Sequence, residues 1–232
     1  MTYRTPKETL LDRQDKLGKK FGELFYYTHS EWCELWVLWR QYENFFVIGG
    51  EERIKLLNDY GSEFFSIVQG RFFEAVLLGF CRLTDKPKIF GKKTLTVRSF
   101  YEHMKNRKRK MKMQGLITEV IEKTEFARDW RNNAISHTNY EHRTNSEIKL
   151  EKASVDKVSE AMSAFHEIFQ YIGIEFLKVD VGDWVQTGLN NEMVTIERLY
   201  WGNQAKERMQ ERSRQGIEPP TRPPEWVMKQ RD

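Results

Sequence analysis

Cysteine, proline and long apolar runs are all scarce in this 232-residue sequence, and each scarcity excludes something. Cys33 and Cys81 stand alone in aromatic or apolar surroundings, which rules out a disulfide scaffold and reads as two reduced core thiols. Proline is confined to Pro6, Pro87 and the 219–224 segment, so long uninterrupted helices can fill everything between. No apolar run approaches the ~18 residues of a membrane span, and the opening residues lack the apolar core of a secretory signal. A cytoplasmic protein with no membrane partner is expected. Histidine is sparse too: His29, His103 and His142 share no ligand spacing, so neither a metal site nor a cofactor is expected. Neither sign of charge dominates, with 38 Lys and Arg against 34 Asp and Glu. The balance of +4 is compatible with an RNA partner but too small to imply one.

What is present is an aromatic-rich, strongly patterned chain. Aromatic residues make up 13% of a sequence whose mean hydropathy is −0.70, enough apolar material to bury a core. A charged helix is expected from about Lys7 to Tyr27, with Leu10, Leu17, Phe21 and Leu24 on one side. Ser30 offers an N-cap for a second helix striped by Trp32, Leu35, Trp39, Tyr42 and Phe46 and ended by Gly49-Gly50. The shared period makes these tryptophans core residues rather than a base-stacking platform. A third segment, Glu51 to Thr84, carries a stripe from Leu57 to Leu83 with a kink near Gly61. Residues 86–94 read as a loop, and the basic run from Lys105 to Lys112 as a connection. A central helix then runs from about Gln114 toward Asn139. Ser154 caps a heptad-like helix from Val155 to Phe176, and a mostly charged helix from about Asn191 to Arg214 precedes the proline-rich tail. The pattern predicts an all-α, up-and-down antiparallel helical bundle. Residues 1–188 form its domain, with a motif core at about 36–176, and residues 189–232 form the charged helix and tail.

The stretch from Arg128 to His137 stands out. Ile117, Val120, Thr124, Ala127, Arg131 and Ala134 recur at helical spacing, which sets a cation within an apolar or small-residue stripe. On an ideal helix Ala134 centres this seam, with Arg131 and His137 each about 60° to either side. Ala127 and Ala134 would let another helix or a ligand come close, and an anion could bind there. The alternative is that Arg131 satisfies a buried carboxylate and His137 is structural. The two positions are separated by about 9 Å of helix axis, and side chains lean toward the N-terminus. One straight helix therefore does not converge them. A break near Asn132-Asn133, a substrate spanning the gap, or a second copy of the chain is required.

Arg131-Asn132, with His137 after five intervening residues, resembles the Arg–x4–6–His signature of the HEPN superfamily. Upstream, Phe72 to Asp85, ending Arg82-Leu83-Thr84-Asp85, and then Gly91 to Thr96 resemble the abortive-infection, AbiU-like branch. The resemblance covers roughly Trp36 to Phe176. It implies a four-helix core that pairs two-fold, with both Arg–His pairs at a shared cleft of a homodimer. It implies a metal-independent endoribonuclease acting as a toxin or phage-defence effector, with RNA as substrate and a cognate antitoxin as a possible partner. His137 would then be the general acid or base and Arg131 the phosphate-holding cation, with Asn132 orienting either. Arg128 is a further candidate for phosphate contact, and Lys108, Arg109 and Lys110 for tracking the RNA backbone. Arg82 and Asp85 would form a local pair supporting the site. Tyr140 lies three residues after His137, whereas the toxin subgroup ending His-x-Tyr places its tyrosine two after. The same residues also suit a non-catalytic HEPN-like module that binds RNA or protein, or a purely structural helical dimer.

Overall fold

Thr5 starts the first helix with a reciprocal cap: its hydroxyl accepts the Glu8 N–H while the Glu8 carboxylate accepts the Thr5 N–H. The computed structural model describes residues 4–135, 150–181 and 191–217. Helix α1 (Pro6–Leu17) stops at Gly18, where φ is +86°, and α2 (Lys19–Phe46) follows at once. The break expected at Ser30 is absent. The Ser30 hydroxyl instead donates back to the Tyr26 carbonyl at 2.9 Å within a continuous helix, because Gly18 offers the easier reversal. Helix α3 (Gly50–Thr84) begins after the expected glycines and is kinked at Gly61, as the sequence suggested.

Residues expected to form a plain loop instead contain a small antiparallel hairpin, β1 (Lys88–Ile89) and β2 (Lys92–Lys93). Phe90 and Gly91 both have positive φ, +48° and +78°, the type I′ geometry of a two-residue hairpin. A phenylalanine there costs about 1–2 kcal/mol, which is why the turn was not legible. A 3₁₀ turn, Val97–His103, leads to α4 (Arg107–Lys123), whose N-cap Asn106 accepts the Arg109 N–H at 2.9 Å. The basic run expected as a connection therefore lies largely in the opening turns of a helix. After Thr124 come α5 (Glu125–Trp130) and a π-helical turn, Arg131–Ile135. Ser154 caps α6 (Val155–Ile172) as expected; a second π-helical turn, Gly173–Leu177, follows, and later α7 (Asn191–Arg214).

The described residues fall into two compact units, one of residues 4–42 and 68–181, the other of residues 43–67 and 191–217. The first is an antiparallel helical bundle. Arg109 pairs with Glu175 at one end and Lys123 with Glu160 at the other, so α4 and α6 run in opposite directions. Aromatic rings fill the space between the helices: Trp32 against Phe169 at 5.2 Å, Phe25 against Phe169 at 6.0 Å, and Phe80 against Phe165 at 5.8 Å. A Cβ on Gly79 would sit 2.6 Å from Leu35 Cδ1, so the α2–α3 contact depends on that glycine. Trp32 and Trp39 are buried, as their period predicted. Helix α3 is long and apolar enough to cross a membrane by length and composition; burial of Val76, Leu77, Phe80, Cys81 and Leu83 accounts for its later part as core. In the second unit, Asn44 Nδ2 donates to the buried Glu192 at 2.9 Å, and Leu57 and Ile196 are buried. The 219–224 segment lies outside the described residues.

His29 stacks on Phe25 at 5.5 Å and meets Phe169 edge-on at 5.1 Å. Burial, with smaller contributions from the Arg13 and His166 charges, lowers its pKa to about 4. An unfolded chain binds a proton near pH 6.5 that the folded chain refuses until about 4. The stabilisation is thus complete above pH 6.5 and is lost as pH falls toward 4, by at most about 3 kcal/mol. Melting curves between pH 7 and 4 should fall steeply for the wild type and more gently for His29→Phe; equal slopes would remove His29 from the acid limb.

Candidate functional site

The last carbonyls of α3 need donors from outside the helix. Thr96 Oγ1 donates to the Leu83 carbonyl at 2.9 Å. Arg128, reaching over from α5, donates through Nη2 to the Thr84 carbonyl at 2.6 Å and to Thr84 Oγ1 at 2.7 Å. A cation at a helix C-terminus also complements the macrodipole. One residue on, Asp85 Oδ1 accepts from Arg128 Nη1 at 3.0 Å and from Arg131 Nη1 at 3.1 Å. Arg131 Nε donates to Asn132 Oδ1 at 3.1 Å. Two guanidinium groups on one carboxylate leave a net positive charge in a partly buried place, with side-chain exposures of 25% for Arg128, 28% for Arg131 and 19% for Asp85.

The two arginines differ in what they have left to offer. Arg128 commits both terminal nitrogens to Asp85 and the α3 end. Arg131 uses Nη1 and Nε, and among the described residues its Nη2 has no partner. A charged nitrogen with its donors uncommitted suits an incoming anion. Arg131 therefore does meet the carboxylate that the alternative reading required, yet retains donors beyond it.

Other expectations change. Arg82 does not pair with Asp85; it is 64% exposed and faces Glu31 at 3.9 Å. The i,i+3 pairing fails because the helix ends at Thr84, which sends Asp85 toward α5 instead. The alanine seam is not continuous. Ala127 is consumed by the chain's own core while Ala134 is exposed, because the widened π turn between them shifts the phase of the stripe. The π turn covers Asn132-Asn133, where a break was one of the three ways to bring Arg131 and His137 together. Asn132 is exposed beside Arg131. His137, like Tyr140, lies outside the described residues.

A supporting frame was missed from the sequence. Trp130 Nε1 donates to the Glu151 carbonyl at 2.7 Å, Asp129 Oδ2 accepts the Glu151 N–H at 2.7 Å, and Asn133 Nδ2 donates to Asp129 Oδ1 at 2.8 Å. These bonds fasten the motif to the chain entering α6. Only the i,i+4 spacing of Asp129 and Asn133 hinted at them.

Lys108, Arg109 and Lys110 sit at the far end of α4, roughly 21–24 Å along its axis from Thr124. Lys108 is exposed. Arg109 is engaged: it donates to Glu175 at 2.6 and 2.9 Å and lies 4.7 Å over the Phe176 ring, holding the Glu175 carboxyl below its ordinary range. The Lys110 ammonium lies 5.7 Å over Tyr101 and borders a cleft of about 510 Å³ with Lys105 and Arg107. Within one chain these residues and Arg131 do not converge.

A HEPN-type family, AbiU2, matches this chain over residues 18–186. The chain belongs to the AbiU2 family. The match spans Asp85, both arginines and His137. No curated protein and no solved structure matches the chain significantly.

In this AbiU2-family chain the two arginines should separate in a stability experiment. Arg128→Ala strands the Thr84 carbonyl at the α3 end and leaves Asp85 with Arg131 alone, a loss of roughly 2–3 kcal/mol or about 4–12 °C in Tm. Arg131→Ala leaves Asp85 with Arg128 and should cost about 1 kcal/mol or less. Equal losses in thermal melts would mean that Arg131 is as structural as Arg128.

Proposed function

We propose that this protein is a metal-independent HEPN-type endoribonuclease of the cytoplasm, a toxin or phage-defence effector that works as a homodimer and answers to a cognate antitoxin. The observation that carries the reading is Arg131, held by Asp85 and Asn132 beside a π-helical turn with its Nη2 unpartnered among the described residues. Membership of the AbiU2 family, whose match over residues 18–186 includes Arg131 and His137, supports a HEPN-type reading. Arg131 binds the scissile phosphate through its free Nη2 and stabilises the charge that develops there. Asn132 fixes the guanidinium plane. His137 exchanges the proton of the ribose 2′-hydroxyl or of the leaving 5′-oxygen, a task suited to a group whose ordinary pKa is about 6.5. Lys108 and Lys110 contribute long-range attraction for RNA rather than contact at the cleaved bond.

Arg128 has a different part. Its two terminal nitrogens are committed to the α3 end and Asp85, so it positions Asp85 and, through it, Arg131. The site in one chain has the cation and its holder; two-fold pairing brings a second set alongside, so that the arginine of one protomer can serve with the histidine of either.

The test is cleavage of single-stranded RNA by purified protein in EDTA. Wild type should cut, and His137→Ala should lose about 10²–10⁴ in rate. Arg131→Ala should lose a similar factor, and the double variant should be little worse than the worse single one, because both groups serve one transition state. Folding, followed by circular dichroism, should be retained. Cleavage by folded His137→Ala at the wild-type rate would end the catalytic assignment.

A further inference from the structure

The β1–β2 hairpin breaks three local rules at once, and nothing in the described fold offsets them. Its tip holds Phe90 with the ring fully exposed, at a positive φ of +48° where asparagine is the residue of choice. Its register sets Lys88 directly opposite Lys93, a like-charge pair that repels across the strands. Lys86, Lys88, Lys92 and Lys93 are all exposed, and among the described residues none lies within ion-pair distance of a carboxylate. A two-stranded hairpin is marginal by itself. This one is held at its base, where Thr94 donates through its N–H to the Pro87 carbonyl at 3.1 Å and through its hydroxyl to the Lys86 carbonyl. Local conflicts of this kind collect at functional positions, where a partner supplies the missing gain.

The partner that answers every conflict together is polyanionic and offers flat apolar faces. Phosphates relieve the lysine repulsion, and a base covers the Phe90 ring. Single-stranded nucleic acid combines both, because its bases are free to stack on aromatic side chains while cations follow its backbone. The hairpin is also well placed. Phe90 is five residues from Asp85, so its Cα lies at most about 18 Å from that of the residue holding Arg131. A strand whose phosphate sits on Arg131 thus passes within reach of the tip.

We infer that the hairpin is a finger for single-stranded RNA, in which Phe90 stacks on a base and Lys86, Lys88, Lys92 and Lys93 hold the neighbouring phosphates. It rests on the RNA reading above but not on catalysis.

The experiment is anisotropy of a fluorescent, 2′-O-methylated single strand of about 16 nucleotides, which cannot be cut through its 2′-oxygen, titrated with the full chain over a range of salt. Phe90→Asn replaces the ring by the residue the turn prefers, so Tm should hold or rise while affinity falls roughly 5- to 150-fold with the salt slope unchanged. Changing Lys88, Lys92 and Lys93 to Gln should lower the slope by about 0.7 for each phosphate the variant no longer neutralises. Wild-type affinity in Phe90→Asn, an unaltered slope in the lysine variant, or no binding by the wild type would each overturn the finger. If unmodified RNA is cut while both variants bind as the wild type does, the finger alone fails. If nothing is cut and both variants weaken binding as described, the ribonuclease reading fails and the finger stands.

Discussion

One carboxylate oxygen organises this site. Asp85 Oδ1 accepts from Arg128 and Arg131, which joins the end of α3 to the segment that resembles the HEPN signature. Remove that oxygen and two guanidinium groups face each other in a partly buried place, with the α3 terminus left to accept from Arg128 and the Asn132 side chain from Arg131. The carboxylate is itself placed by a helix end. Thr84 closes α3 with its hydroxyl on the Phe80 carbonyl at 2.7 Å, and the chain then turns, delivering Asp85 to α5 rather than leaving it on the α3 surface beside Arg82. The Arg82–Asp85 segment that resembles the abortive-infection branch thus matters through Thr84 and Asp85. Arg82 takes no part in the arrangement.

Much of the bundle was legible because hydrophobic period and capping chemistry are local. Ser154 could be read as the start of α6, Gly49-Gly50 as the reversal after α2, and Gly61 as a kink, each from two or three neighbouring residues. The stripe through Ile117, Val120, Thr124 and Ala127 was likewise real, and all four are buried. It failed beyond Ala127 for a physical reason. A period extrapolated on an ideal α-helix assumes constant φ and ψ, and the π turn from Arg131 breaks that assumption, leaving Ala134 exposed. Ser30 misled in the opposite sense, since a hydroxyl that can cap a helix can equally bond back to the preceding turn. The Phe90-Gly91 turn was hidden because phenylalanine is a poor residue for it, and that same misfit makes the hairpin informative.

The site was legible in part. The sequence supplied Arg131, Asn132 and Asp85 by resemblance, but neither spacing nor period could say which of the two arginines carried structure. That distinction depends on long-range partners, Thr84 and Asp85, lying more than forty residues upstream. The frame of Asp129, Trp130 and Glu151 is long-range in the same way. Composition was a poorer guide still: the +4 balance says nothing about where cations are free. Arg109 belongs to the richest basic run, yet it is neutralised by Glu175 and packed on Phe176, whereas the hairpin lysines, drawn from a stretch that read as plain loop, are unpaired among the described residues.

This uneven engagement of charge separates holding from binding. An arginine engaged through both terminal nitrogens has little left for a ligand, and moving it would deprive the α3 terminus of its donor. Arg128 is in that position. Arg131 is fixed by two bonds, on Nε and Nη1, enough to set its plane, and among the described residues its Nη2 has no partner. Its anchor, Asp85, is already shared with Arg128, so the pull of Asp85 on Arg131 is weaker than that of a private ion pair. A phosphate arriving at Nη2 need not break the Asp85 bond, and it meets a site whose net charge is already positive. Asp85 and Asn132 thus hold the arginine in direction, while the sharing of Asp85 leaves it electrically unsatisfied, the condition under which a guanidinium attracts an anion without rearranging.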